Sequence, residues 1–406
     1  MIDKRNTAIL AYSGGLDSTI SIDWIKKNYG FDVITLTVGL GNGGISQELI
    51  DRAKTAGALD CIQSDVSEEF INDYVFPALK AGAIYENQYL LATALGRPLI
   101  AKKLVEIAEK LGAVAVAHGC TGKGNDQVRL DTAIKTLSFE NPLLIIAPAR
   151  EGKMTRDEEK KYANQLGIQL PGVGEKIYSI DRNLWGVAIE GEDLENPWNQ
   201  PPEDAYIITK SAKEAPEEPI DVIVTFNSGI PVSLNGEPLS GVDMVNNLNE
   251  IAGEHGIGRV DHIENRLVGI KSREVYETPG ATVLNVSLRA LEKSILTKDQ
   301  LRIKAYLSQQ YADLVYEGRW FSSLRENLDA FVNSTMKYVS GDVRVRLFKA
   351  NASVNGLRSK YSLYDYDLAT YSDEDKFDHQ SATGFIDIFS LPSQLQRHKQ
   401  PPEKKI

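Results

Sequence analysis

The sequence predicts an α/β protein in three parts: a doubly wound parallel-sheet domain over residues 1–168, an α+β domain over 169–364, and a C-terminal arm over 365–406. Three observations predict it. Short, nearly continuous apolar runs alternate with helical periodicity as far as about residue 168, the pattern of a parallel sheet covered on both faces. The first of those runs leads straight into a glycine-rich loop and a helix. Beyond Leu170-Pro171-Gly172 the order becomes irregular, strands first and helices after, with no internal repeat.

Ala8 to Ala11 reads as a buried strand, and Ile20, Ile22, Trp24 and Ile25 as the apolar face of a helix. Between them runs Ala11-Tyr12-Ser13-Gly14-Gly15-Leu16-Asp17-Ser18-Thr19. Two adjacent glycines let the backbone approach a ligand closely, and Ser13, Ser18 and Thr19 place hydroxyls beside the unpaired N–H groups of a helix start. Such a terminus favours phosphate oxygens. The lysine spacing of a Walker loop does not follow this strand. By itself, Gly-Gly is equally a strand-to-helix turn with a serine cap.

Asp32 to Val38 reads as the second strand, Ser46 to Ala58 as a serine-capped helix, and Asp60 to Ser64 as the third strand. Ala101 to Leu111 reads as a helix, and Ala113 to Ala117 and Leu143 to Ala147 as strands, the last stopped by Pro148. Ligands of such a sheet sit at the carboxyl ends of its strands, so the loops after Ala11, Val38 and Ala117 are expected to face one cleft. The third of these is His118-Gly119-Cys120-Thr121-Gly122-Lys123-Gly124-Asn125-Asp126-Gln127-Val128-Arg129. Its glycines and Lys123 suit an anion, and Asp126 and Arg129, three apart, share a helix face. The plainer alternative is a helix capped by Asn125 or Asp126.

In the second domain Tyr206 to Thr209, Ile220 to Phe226 and Pro231 to Leu234 read as strands, and Val242 to His255 as a helix. Glu214 to Pro219 reads as a solvated loop. Helical periodicity returns over Thr297 to Leu307 and Leu324 to Tyr338, before an alternating strand at Val343, Val345 and Leu347. The arm is polar apart from Phe385, Ile386, Ile388, Phe389 and Leu391, an apolar segment expected to dock on something. The last few residues are expected to be disordered.

Composition narrows the class. The chain has 406 residues, 42% hydrophobic and 25% charged, ordinary for a soluble globular protein of two or three domains. A net charge of −11 argues against a general nucleic-acid surface. No apolar run nears the roughly 18 residues of a membrane span, and Met1 to Ala11 lacks a signal-peptide core, so a cytoplasmic location is expected. Cys61 and Cys120 are too few for a disulfide framework and lack metal-ligand spacing. Cys61 reads as core packing.

Ser-Gly-Gly-x-Asp-Ser after a first strand resembles the pyrophosphate-binding loop of the ATP pyrophosphatases. Further motifs narrow the resemblance: Tyr85-Glu86-Asn87-Gln88-Tyr89 with Thr93 and Arg97-Pro98, His118 to Arg129, Ser179 to Trp185, Gly258 to Arg266, Lys271 to Gly280, Ser323 to Ser334 and Tyr361 to Tyr366. Over nearly its whole length the chain resembles the argininosuccinate synthase family. The resemblance implies ligation of citrulline and aspartate, with ATP cleaved to AMP and pyrophosphate through a citrullyl-adenylate, in arginine biosynthesis. It implies a homotetramer assembled through the C-terminal arm, Mg²⁺ arriving with ATP rather than at a dedicated protein site, and no nucleic-acid or membrane partner.

Carried over residue by residue, the ATP site falls on Ala11, Tyr12, Ser13, Gly14, Gly15, Leu16, Asp17, Ser18, Thr19, Val38 and Gly119. The aspartate site falls on Thr121, Asn125 and Asp126, and the citrulline site on Tyr89, Thr93, Asn125, Arg129, Ser179, Glu264 and Tyr276. Asp126 either orients the aspartate amine or takes its proton, with His118 a weaker candidate base. Asp17 either contacts a Mg²⁺-bound water or simply begins a helix. Several positions depart from the family pattern: Asp17-Ser18-Thr19 for Asp-Thr-Ser, Asn42 for glutamine, Val38 for alanine, and Ala94 and Ala188 for serine. The resemblance implies a citrulline-contacting serine at position 188, and the loss of its hydrogen bond would cost on the order of 1 kcal/mol. Two other readings fit the first loop. A tRNA thiolation ligase would want a cysteine pair and a basic surface, and a nucleotide sensor would show no ATP-to-AMP turnover.

Overall fold

The computed structural model describes residues 6–41, 46–152, 156–168 and 178–401. The Leu170-Pro171-Gly172 break, Asn42 and the residues after Pro401 lie outside them. The chain forms two compact units, one ending at Tyr361 and one beginning at Ser362.

In the first unit, β1 (Thr7–Ala11), β2 (Asp32–Gly39), β3 (Asp60–Asp65), β4 (Ala115–Ala117) and β5 (Leu144–Ile146) form a parallel sheet in the order β3-β2-β1-β4-β5. Successive side chains of a strand point to opposite faces, and the buried strand residues divide accordingly. Ala8 and Leu10 meet Ile20, Ile22 and Ile25 of helix α1 (Leu16–Tyr29) on one face. Ile9 meets Leu104 of α3 (Ala92–Leu111) and Leu130 of α4 (Asn125–Leu137) on the other. Between them in sequence lies α2 (Gln47–Thr55), where the Ser46 hydroxyl accepts from the Leu49 N–H as the sequence suggests. The strand order reverses between β1 and β4, and that switch point places the loops after them side by side.

The structure corrects three local readings. Helix α3 starts nine residues before Ala101 and runs through Pro98. It does so because the Tyr89 hydroxyl accepts the Thr93 and Ala94 N–H groups at 3.0 and 3.2 Å, capping an end that local sequence leaves open. Neither Asn125 nor Asp126 caps α4, whose cap residue is Gly124. Tyr206 to Thr209 is not a strand, because the buried Glu277 carboxylate takes the N–H groups of Ile207, Ile208 and Thr209 at 2.8 to 3.1 Å.

The rest of this unit is built on two antiparallel sheets. The first joins β6 (Ser179–Asn183), β7 (Gly186–Glu190), β11 (Arg259–Asn265) and β12 (Lys271–Glu277) in the order β11-β12-β7-β6. The second contains β8 (Ile220–Asn227), β9 (Ile230–Leu234), β10 (Glu237–Pro238), β13 (Gly341–Phe348) and β14 (Asn351–Arg358). Val343, Val345 and Leu347 of β13 are fully buried, the inward half of the alternation read from sequence. The same unit carries helices α5 (Gly241–Glu254), α6 (Pro279–Ile295), α7 (Lys298–Tyr316) and α8 (Ser323–Met336), α7 opened by a Thr297–Gln300 capping box. The second unit carries α9 (His379–Lys399), on which Phe385, Ile386, Ile388, Phe389 and Leu391 are all exposed.

Candidate active site

The loop after β1 presents backbone N–H groups. No side chain caps α1: its cap residue is Gly15, and the Ser18 and Thr19 hydroxyls donate to the Gly15 carbonyl at 3.2 and 2.7 Å. Gly14 adopts φ +76°, and its carbonyl is held by the Arg52 guanidinium at 2.7 Å. Tyr12, Leu16 and Thr19 are buried supports, Tyr12 reaching Thr19 at 3.2 Å, while Ser13 and Gly15 are exposed and Asp17 half-buried. Ala11 and Val38 lie half-buried near the ends of β1 and β2. A Cβ on Gly119 would come within 3.2 Å of the Ser18 nitrogen, so the loop after β4 lies close against the start of α1, and glycine at 119 fits that approach without crowding.

Beside these loops lies a cavity of about 90 Å³. All seven residues expected to bind citrulline line it: Tyr89, Thr93, Asn125, Arg129, Ser179, Glu264 and Tyr276. Asp126 lines it too, whereas Thr121 is exposed and outside it. The antiparallel sheet explains much of this, since alternate residues share a face. Ser179 and Asp181 of β6, Ala188 and Glu190 of β7, Glu274 and Tyr276 of β12 and Glu264 of β11 occupy that face in mutual register.

Inside the cavity the polar groups are closely paired. Glu264, 2% exposed, accepts from the Tyr276 hydroxyl at 2.7 Å. The Tyr276 and Tyr89 rings stack with centroids 4.0 Å apart. Arg129 donates to Asp126 at 2.8 Å, the three-residue pairing read from sequence. Arg97 donates to the other Asp126 oxygen at 2.7 Å and also to Asp181. Burial opposes the charge on Asp126, but Arg97 and Arg129 outweigh it and hold the carboxyl well below the usual range. Arg266 donates to Glu190 and Glu274 at 2.5 and 2.6 Å. Burial and the neighbouring Glu190 push Glu274 up to about 7 against the pull of Arg266.

His118 is a structural residue here. Its Nε2 meets Asp131 at 2.8 Å and its Nδ1 accepts the Cys120 N–H at 3.3 Å, so neither ring nitrogen is left to move a proton. Cys120 has its thiol pushed up by burial and by Asp126. Cys61 is half-buried against the α1 side of the sheet. Among the described residues no group of three or more His, Cys, Asp or Glu side chains is arranged to hold a metal ion.

Sequence reasoning missed Asp181, Glu190, Arg266 and Glu274 as cavity residues, although all but Glu190 lie in motifs already singled out. The signal was available for three of them: alternation along paired strands puts Asp181, Glu190 and Glu274 on the face that carries Ser179 and Tyr276, while Arg266 follows the end of β11.

A phosphate-type glycine loop at the switch point of a parallel sheet, beside a small cavity rich in paired charges, defines a nucleotide-dependent enzyme acting on a small zwitterionic substrate. Comparison with known proteins specifies it further. Residues 7–169 match the arginosuccinate synthase N-terminal HUP domain and residues 178–396 the arginosuccinate synthase C-terminal domain. The chain belongs to the argininosuccinate synthase family. It is 50% identical over 400 residues to the argininosuccinate synthase of Trichodesmium erythraeum, covering 98% of this chain and 99% of that one. With that of Carboxydothermus hydrogenoformans it shares 49% identity, covering 98% and 99%.

Proposed function

We propose that this chain is a carbon–nitrogen ligase that joins L-citrulline to L-aspartate, cleaving ATP to AMP and pyrophosphate, as a step of arginine biosynthesis. The observation that carries the reading is the meeting, in one cavity, of Arg129 with Glu264, the charges a zwitterionic amino acid needs at its two ends. The ureido carbon of citrulline is a poor electrophile because its nitrogen lone pairs feed the carbonyl. Attack of the ureido oxygen on the α-phosphorus expels pyrophosphate and makes that oxygen part of a leaving group, which the aspartate amine then displaces as AMP. The chain's contribution is positioning and charge stabilisation.

In this reading the Ser13 to Ser18 loop receives the pyrophosphate end of ATP, with Val38 and Gly119 beside the nucleotide. Mg²⁺ bound with ATP would neutralise charge on the phosphates, and Asp17 at the start of α1 is the carboxylate of this loop that would face a Mg²⁺-bound water. Asp126 orients the aspartate amine, with Thr121 and Asn125. A carboxylate paired with two guanidinium groups is too weak a base to take the proton efficiently. Residues 1–168 form the ATP-binding domain, 169–364 the synthetase domain, and 365–406 an arm through which a homotetramer assembles. No helix among the described residues is long and apolar enough to cross a membrane, and a cytoplasmic location fits the substrates.

The test follows the oxygen. With heavy oxygen in the ureido group of citrulline, mass spectrometry is expected to find the label in AMP and none in pyrophosphate or argininosuccinate. Label in water or inorganic phosphate would mean hydrolysis or attack at the γ-phosphorus, and the reading would fall.

A further inference from the structure

Tyr316, the last residue of α7, does not line the cavity, yet it touches three of the residues that do. Its hydroxyl lies 2.7 Å from Asn125 Nδ2 and 2.6 Å from Glu264 Oε1, and its backbone carbonyl accepts from Arg129 Nε at 2.7 Å. The ring lies beneath the Arg129 guanidinium, 4.6 Å from its carbon, and stacks on Tyr85 with centroids 3.6 Å apart. The residue is fully buried.

We propose that Tyr316 is a positioning residue for the substrate cavity, fixing Glu264 and Arg129 relative to each other so that they meet the two charged ends of one amino acid. The inference rests on the ligase reading above and adds to it the residue that sets the spacing between cation and carboxylate.

Hydrogen-bond direction supports the assignment. Asn125 Oδ1 accepts the Leu267 N–H at 2.8 Å, so its amide nitrogen must face Tyr316 and donate. The phenol oxygen is then an acceptor, and its single proton goes to Glu264. The Asn265 carbonyl, at 3.1 Å, is the more distant and uncharged alternative. Glu264 therefore receives one hydroxyl on each carboxylate oxygen, from Tyr316 and from Tyr276. The lone pairs left over on the two carboxylate oxygens remain available to an ammonium group. Burial and Glu264 both hold the Tyr316 proton in place, well above the ordinary phenol range. Arg129 is bonded to the same residue through the backbone, so the cation and the carboxylate share one anchor.

The test is Tyr316→Phe, which keeps the ring, its stack on Tyr85 and the backbone bond to Arg129 while removing the hydroxyl. Loss of a hydrogen bond to a charged group is expected to raise the KM for citrulline about tenfold or more. The KM for ATP is expected to stay within about twofold. Tyr311→Phe is the comparison: it removes a buried hydroxyl on the same helix, bonded to Asp329 at 2.9 Å and outside the cavity. It is expected to leave the citrulline KM unchanged. An unchanged citrulline KM in Tyr316→Phe, a parallel rise in the ATP KM, or the same behaviour in Tyr311→Phe would overturn the inference. Failure of the unsubstituted chain to release pyrophosphate on addition of citrulline would overturn the ligase reading instead, and the inference with it.

Discussion

Replacing Glu274 by glutamine is expected to stabilise the chain relative to its parent, and by more at each step as pH rises from 5.5 to 8.5. Glu274 is 6% exposed, and its Arg266 partner is shared with Glu190. Burial and the Glu190 charge outweigh the attraction of Arg266 and move its carboxyl from 4.5 to about 7. A carboxyl that holds its proton more tightly in the folded chain than in the unfolded one stabilises the fold at low pH. That stabilisation is present in full below 4.5 and is lost as pH rises through 7. Between pH 5.5 and 8.5 the cost of keeping Glu274 in the folded chain grows by about 2 kcal/mol. Glutamine carries no such cost, and its amide keeps an oxygen for Arg266. For a unit of this size the difference corresponds to about 2–3 °C in the thermal midpoint. Thermal midpoints of the two chains, measured at one-unit intervals of pH and constant ionic strength, should therefore diverge. A gap that stays constant, or closes, would show that Glu274 is ionised throughout and that Arg266 prevails over burial.

Gly318→Ala is expected to lower stability by about 2–5 kcal/mol and raise the KM for citrulline, because residue 318 has φ +75° and its Cβ would lie 2.4 Å from the Arg129 Cα. Gly269→Ala, at φ +85° with open space around it, should cost only the conformational part, about 1–2 kcal/mol by denaturant unfolding. Gly119→Ala should raise the KM for ATP on the order of tenfold and that for citrulline less, as its methyl group would crowd the Ser18 amide. Deletion of Thr383 to Ile406 should reduce the assembly mass seen by light scattering, since it removes the exposed apolar side of α9; an unchanged mass would reject the arm's proposed role.

The parallel sheet was legible because its signals are local. Apolar runs such as Ala8 to Ala11 and Asp32 to Val38 are bounded by turn residues, and the helix after Gly15 declares itself by period. What was not legible depends on partners far along the chain. Tyr206 to Thr209 has strand-like residues, yet its N–H groups go to a carboxylate at position 277. Helix α3 begins where a tyrosine hydroxyl happens to reach its open amides. Asp126 and Arg129 were readable as a pair at helical spacing, but Arg97 and Asp181, which complete their network, come from two other elements. Tyr316 had no signal at all, since a tyrosine ending an amphipathic helix looks like any core aromatic.

The bonds from Tyr316 back to Asn125 and Arg129 span 191 and 187 residues. Seen in the order in which a ribosome makes the chain, that separation has a consequence. The parallel sheet is complete at Ile146, and with it both glycine loops, when more than half of the polypeptide is still to be made. The side chains that would commit a nucleotide to reaction gain their anchor only when α7 has been synthesised to its end. A polypeptide that ends before α7 is complete therefore lacks the anchor that Asn125, Arg129 and Glu264 share in the finished chain.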